Sequence, residues 1–324
     1  MALRSVVKGY GAYLPAKILT NAELEKTIET NDSWIVERTG IRQRHIAAEG
    51  EYTSHLAMKA AQAALARANL AANDIDLLIL ATTTPDESMP STATKVQHLL
   101  GMTQGAAFDL AAACSGFVYG LATADAYIRS GQAKRVLVIG AETFSRLVDW
   151  NDRATCILFG DGAGAVVLEA EEGKGNAADR GILFTKLYSD GQYNSILRTT
   201  GGISSGRDVG YVTMAGKEVF RHAVAKMSDV VTEGLNALSL QAANADWVIP
   251  HQANSRILDS VAKRLELGKE KMISTVAEHA NTSAASIPLA LSVAADQGKI
   301  KRGQLLVMPA LGAGLTWGAC ILRW

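Results

Sequence analysis

Residues 74–82 read DIDLLILAT, an almost unbroken apolar run about one strand long. A run that is continuous rather than alternating suits a strand buried on both faces. RVLVIGAE (135–142) and GAVVLEA (164–170) have the same character. Between such runs lie longer alanine-rich segments with helical spacing. SHLAMKAAQAALARANL (54–70) opens on a serine suited to an N-cap, and STATKVQHLLG (91–101) follows it. Doubly buried strands alternating with helices predict an α/β fold.

The second half of the chain repeats the scheme. NADWVIPHQAN (244–254) parallels NDIDLLILATT (73–83), GQLLVMPALGAG (303–314) parallels GQAKRVLVIGAE (131–142), and GACILRW (318–324) parallels GAVVLEA. Two helical segments also match, CSGFVYGLATADAYIRSG (114–131) and NTSAASIPLALSVAADQG (281–298). Cys114 lies 17 residues before Gly131, and Asn281 lies 17 before Gly298. This register predicts a duplicated chain in which Cys114 and Asn281 hold equivalent places. The halves are expected at 1–172 and 173–324, with the Gly-, Ser- and Asp-rich stretch 171–215 as long connecting loops.

Composition excludes several classes of function. Lys+Arg and Asp+Glu number 32 each, so no bulk charge favours nucleic acid or an anionic membrane. The uncharged stretch Leu110–Ala124 has 15 residues, short of the ~18 that suggest a membrane span. The opening MALRSVVKGYGAYLPAK is broken by charges, glycines and a proline and does not read as a signal peptide. Cys114, Cys156 and Cys320 are widely spaced and form no C-x-x-C, which argues against a disulfide framework or a metal site. A reducing cytoplasmic setting is expected.

Three residues stand out as candidates for chemistry. Cys114 sits in AAACSGF (111–117) beside a helix start, where unpaired amides and the macrodipole would favour a thiolate. Its small neighbours would admit a substrate, yet the residues alone leave a nucleophile and a small buried filler both open. Cys156 in RATCILFG and Cys320 in GACILRW read as strand-borne core. In DWVIPHQAN (246–254) a strand runs through Pro250 into His251 and then into a helix, SRILDSVAKRLEL. That places the imidazole at a strand's C-terminal end, where α/β folds carry their sites. His45, His55, His98, His222 and His279 read as surface or satisfied residues. Asn281 taken alone reads as an N-cap, and its register with Cys114 is what singles it out. The glycines of FGDGAGA (159–165) and ALGAGLTWG (310–318) precede strands instead of opening helices, which excludes a dinucleotide site. They would let backbone pass close to a substrate or supply an oxyanion-hole amide.

Cys114 in AAACSGF, His251 in PHQAN and Asn281 in NTSAASIP together resemble the thiolase-like condensing enzymes and, within them, the β-ketoacyl-[acyl-carrier-protein] synthase III family. The resemblance runs from DSWIVERTGIRQRHIA (32–47) through FGDGAGA to GLTWGACILRW (314–324). It implies a five-layered αβαβα fold of two similar halves, and a homodimer. It also implies that Cys114 takes an acyl group from acyl-CoA, after which malonyl-acyl carrier protein loses CO2 and its enolate attacks the acyl-cysteine. That is the initiating condensation of bacterial fatty acid synthesis. His251 and Asn281 would donate to the enolate oxygen, and the backbone amides of Cys114 and Ala313 would form a second oxyanion hole. No metal or redox cofactor is implied. An asparagine at position 281, where elongating relatives carry histidine, points to the CoA-primed branch. A related thiolase-fold acyltransferase or ketosynthase of secondary metabolism would keep Cys114 and His251 and is the alternative.

Binding residues follow from the same resemblance. Trp34 and Arg153 would sandwich the CoA adenine, with Thr30, Arg38 and Asn254 as further contacts. Arg221, Gln252, Ala253, Asn254, Ser255, Arg256, Lys263 and Arg264 would dock the acidic carrier protein. Leu311 and Met89 stand where relatives often carry phenylalanine and would shape the acyl pocket, Met89 by reaching into that of a partner subunit.

Overall fold

The computed structural model describes residues 2–324. Its first sheet has five strands, β1 (Ala2–Tyr13), β2 (Leu77–Ala81), β3 (Ala106–Leu110), β4 (Arg135–Glu142) and β5 (Gly162–Gly173), in the order β1-β5-β4-β2-β3. β3, β2 and β4 run parallel, and β5 pairs antiparallel with both β4 and β1. The second sheet has four strands, β6 (Gly181–Ser189), β7 (Trp247–Val248), β8 (Leu305–Gly312) and β9 (Thr316–Arg323), in the order β7-β8-β9-β6. It repeats the sequence of parallel then two antiparallel pairings, with one parallel pair where the first sheet has two.

Among the described residues seven helices have eight residues or more, and all but α1 pack on these sheets: α1 (Asp32–Thr39), α2 (Thr53–Ala68), α3 (Thr92–Leu99), α4 (Gly116–Arg129), α5 (Gly216–Ala237), α6 (Ser255–Arg264) and α7 (Ser286–Asp296). The pleat sends successive residues to opposite faces, so each strand feeds two cores. Leu77, Ile79, Val136 and Val138 face α4 and α7, as do Leu306 and Met308 from the other sheet. Leu78, Leu80, Leu137 and Ile139 pack outward on α2 and α3. Leu305, Val307 and Ile321 pack on α5 and α6. The result is five layers, α-β-α-β-α. A further apolar cluster around Ile35 and the stacked rings of Phe144 and Phe159 carries α1 beside the layers.

The two halves keep one register. Asn69 and Ser239 share a left-handed backbone, Asp76 and Asp246 each tie the next strand through backbone and carboxylate, and β4 and β8 begin at Arg135 and Leu305. Each pair is 170 positions apart, and so are Ala113 and Ser283, at φ 46° and 48°. On that register the counterpart of Cys114 is Ala284, while His251 and Asn281 answer to Ala81 and Ala111. The expected equivalence of Cys114 and Asn281 is therefore corrected. It counted back from the glycines that follow the helices, but α7 has 11 residues against 14 in α4, so the count slips by a turn.

Three smaller expectations also change. The stretch 171–215 is not simply loop, because it contains β6, which pairs along its length with β9. Ser54 does not cap α2; Tyr52 occupies that place, and Ser54 instead donates its amide and hydroxyl to Asp86. Cys156 is buried as expected but lies in a run of turns, not in a strand.

Candidate active site

Cys114 lies in a 3₁₀ turn, Ala113–Ser115, that joins β3 to α4. Two hydroxyls hold the turn: Ser115 Oγ donates to the Thr316 carbonyl and Thr316 Oγ1 donates to the Ala112 carbonyl, both at 2.9 Å. β8 passes so close that a Cβ at Gly312 would stand 2.7 Å from the Cys114 nitrogen, so a side chain there would displace the cysteine. Among the described residues no backbone carbonyl accepts from the amides of Cys114 and Ala313. Both residues line one cavity of about 750 Å³, together with His251, Asn281 and Leu311.

The two polar partners are each held by one atom and free at another. The His251 amide donates to the Pro309 carbonyl, which extends the β7–β8 ladder to the imidazole. Nδ1 of His251 is 2.8 Å from Ser286 Oγ, and Ser286 Oγ also accepts from the Gln252 amide at 3.3 Å. No other acceptor is bonded to the Ser286 hydroxyl among the described residues, so its proton goes to Nδ1, which assigns the ring hydrogen to Nε2. Asn281 is fixed by its own backbone, with its amide donating to Leu158 and its carbonyl accepting from Gly160. Its Oδ1 accepts from the Ser283 amide at 2.9 Å, leaving Nδ2 as a donor toward the cavity.

Burial dominates the electrostatics. It pushes the His251 pKa down to about 3, so the ring is neutral at physiological pH. It pushes the Cys114 thiol up from an ordinary 9.0 to about 12, against smaller pulls from Ser283 and its own amide. That rise is worth about 4 kcal/mol, whereas a helix terminus contributes about 0.3–1 kcal/mol and rarely ~2. Burial therefore opposes the thiolate that the helix start was expected to favour.

At the exposed end of the cavity, Arg38 and Arg153 lie over the Trp34 ring, 4.3 and 4.8 Å from its centroid. Trp34, Arg38, Asn254 and Arg256 line the cavity, whereas Thr30 and Arg153 do not. Gln252 is corrected as a docking residue. It is wholly buried, and its amide is consumed by the carbonyls of Pro250 and Ile273 and by the Thr275 N–H, so it braces the His251 loop. Arg221, Arg256, Lys263 and Arg264 are exposed, and Arg264 is paired with Asp229 at 2.7 Å. Met89 is 84% exposed and lies outside this chain's cavity.

Comparison with known proteins follows the same lines. Residues 108–191 match the model of 3-oxoacyl-[acyl-carrier-protein (ACP)] synthase III, and 235–324 match its C-terminal part. A β-ketoacyl-[acyl-carrier-protein] synthase III of Bradyrhizobium diazoefficiens is 59% identical over 323 residues, 99% of each chain. The chain belongs to the 3-oxoacyl-[acyl-carrier-protein] synthase III family. Another member, from Rhodospirillum centenum, is 58% identical over 324 residues, all of both chains. The crystal structure of the Aquifex aeolicus member superposes with a TM-score of 0.93 at 48% identity, covering 99% of this chain and 100% of that one. The fold is accordingly the thiolase-like one of this family.

Several residues in or behind the cavity escaped the sequence reading. Arg198 and Lys217 line the exposed end but lie in or beside the stretch set aside as loop. Ser286 had no signal beyond a small residue at a helix start. Glu142 had one: a carboxylate closing the apolar run RVLVIGAE.

Proposed function

We propose that the protein is the initiating condensing enzyme of fatty acid synthesis, an acyltransferase acting on acyl-CoA and malonyl-acyl carrier protein. The observation that carries this reading is the convergence on Cys114's cavity of two neutral donors, His251 Nε2–H and Asn281 Nδ2–H, each locked through its other polar atom. A neutral imidazole cannot neutralise charge as a cation, but it can donate to an oxygen on which charge develops.

In the first half-reaction Cys114 Sγ attacks the acyl-CoA carbonyl. The unpartnered amides of Cys114 and Ala313 receive the oxyanion, and CoA leaves. In the second, malonyl-acyl carrier protein loses CO2 and its thioester carbonyl becomes an enolate held by His251 and Asn281. The enolate carbon attacks the acyl-cysteine and releases β-ketoacyl-acyl carrier protein. Neither a metal nor a redox cofactor enters the scheme. Trp34 flanked by Arg38 and Arg153 suits an adenine ring, with Asn254 nearby and Thr30 as the more distant expected contact. Arg221, Ala253, Asn254, Ser255, Arg256, Lys263 and Arg264 form the carrier-protein side. Leu311 shapes the acyl end, and exposed Met89 supports a homodimer in which it meets the second copy.

Intact-mass spectrometry tests the reading. Acetyl-CoA should leave an acyl adduct on Cys114, and malonyl-acyl carrier protein should discharge it as β-ketoacyl product. Cys114→Ala should still decarboxylate malonyl-acyl carrier protein, whereas His251→Ala and Asn281→Ala should lose at least ~10²-fold of that activity. Absence of an adduct with every short acyl-CoA would refute the proposal.

A further inference from the structure

Glu142 ends β4 wholly buried, and the scheme above gives it no task. Its carboxylate accepts from the Thr83 amide at 3.1 Å and from the hydroxyls of Thr83 at 3.0 Å and Thr84 at 2.6 Å. Thr82 Oγ1 adds a longer contact at 3.3 Å. No lysine, arginine or histidine among the described residues donates to it, so a carboxylate is kept in the interior without a counter-ion. Thr83 also lines the cavity that holds Cys114.

The Ser283 turn packs on both β4 and the Cys114 turn. Ser283 is fully buried at φ 48°, and its hydroxyl has no hydrogen-bond partner among the described residues. That hydroxyl pulls down the pKa of both the Cys114 thiol and the Glu142 carboxyl. The fold explains the proximity: Glu142 is the counterpart of Gly312, and stands against the Ser283 turn as Gly312 stands against the Cys114 turn.

We propose that Glu142, through the Ser283 hydroxyl, takes the Cys114 proton during acylation and returns it during condensation. The proposal rests on the reading of Cys114 as the acylated nucleophile. In acylation the S–H bond breaks, its proton passes to Ser283 Oγ, and the serine's own proton passes to the Glu142 carboxylate. The sulfur pair forms the bond to the acyl carbon as the bond to CoA breaks, and CoA thiolate takes one proton from solvent. In condensation the new C–C bond forms, the acyl–sulfur bond breaks, and the Cys114 thiolate recovers its proton from Glu142 by the reverse path. One solvent proton is consumed per turnover, which matches the loss of a carboxylate as CO2. Burial holds the Glu142 carboxyl at about 7, able to accept and to give near neutral pH. The titratable group facing it is Cys114; its other neighbours are the hydroxyls of Thr82, Thr83, Thr84 and Ser283.

Single-turnover acylation by acetyl-CoA, followed by intact mass across the neutral and alkaline range, tests the relay. In the wild type the rate should climb through an inflection near neutrality and then level. Glu142→Gln keeps the shape and removes the charge; a merely repulsive carboxylate predicts faster acylation on its loss. The relay instead predicts acylation about 10²-fold slower at neutral pH, rising tenfold per pH unit without the inflection. Ser283→Ala should reproduce the loss with the charge intact, and Ala113 shows that alanine adopts this backbone. Recovery of both variants at alkaline pH separates a missing base from a damaged fold. Variant rates equal to or above wild type, or a loss that alkali does not restore, would overturn the relay. A wild-type protein that takes no acyl group would overturn the underlying reading, and the relay with it.

Discussion

Ser286 decides what His251 can do. With its hydroxyl on Nδ1, the ring presents Nε2–H to the cavity; without it, Nδ1 and the Gln252 amide both lose a buried partner. An orphaned buried polar group costs about 1–3 kcal/mol, so Ser286→Ala should slow decarboxylation of malonyl-acyl carrier protein by about 10- to 100-fold. Acylation of Cys114 should be nearly unchanged, and comparing the two half-reactions checks this. Residues of this kind were the least legible in the sequence. Cys114, His251 and Asn281 could be picked out because each sits in a distinctive local string. The protonation states could not, because they depend on burial and on partners as distant as Ser286, 35 positions from His251. The helix-terminus argument for a thiolate was sound locally and was outweighed by desolvation, a property of the whole packed site.

At the scale of elements, β4 and the turn before α7 set the height of the site. A Cβ at Gly140 would stand 2.3 Å from the Ala284 carbonyl oxygen. Gly140→Ala should therefore cost about 1–3 kcal/mol in stability and push Asn281 from the cavity. Thermal melts should show the first effect, and a greater loss of condensation than of CoA binding should show the second. α6 carries the docking prediction. Ile257, Leu258 and Val261 are buried while Arg256 and Lys263 face solvent. Arg256→Glu should raise the KM for malonyl-acyl carrier protein several-fold; an equal effect on acylation by acyl-CoA would count against the docking role. The strands β2, β4 and β8 and the helices beside them were legible because continuous apolar runs admit few readings; the parallel strand β3, AAFDL, was not read. β6 was not: GILFTKLYS carries lysine and threonine and lies at the sheet's edge, bonded only to β9. The repeat was visible as a pattern, but its register was not, because a helix that loses one turn still ends on the same kind of glycine.

Across the whole molecule, buried titratable groups make stability depend on pH. Burial lowers His251 to about 3 and His279 to about 4, below the 6.5 of an exposed ring, so unfolding on the acid side takes up protons. Their contribution is complete above pH 6.5 and is lost as pH falls through the folded values. Glu142, raised from 4.5 to about 7, acts in the opposite sense over part of that range. Denaturant midpoints should therefore fall between pH 7 and 4, less steeply in His279→Gln, by up to about 1.4 kcal/mol per pH unit. The same scale gives meaning to the alanines opposite the reactive residues. Ala81 and Ala284 meet no substrate, yet a Cβ at Gly116, where α4 begins, would lie 3.0 Å from one and 3.3 Å from the other. They work as spacers on which the cysteine-bearing helix rests. Enzymes that duplicate a fold thus acquire silent positions as intolerant of change as their reactive ones, with size rather than chemistry under constraint.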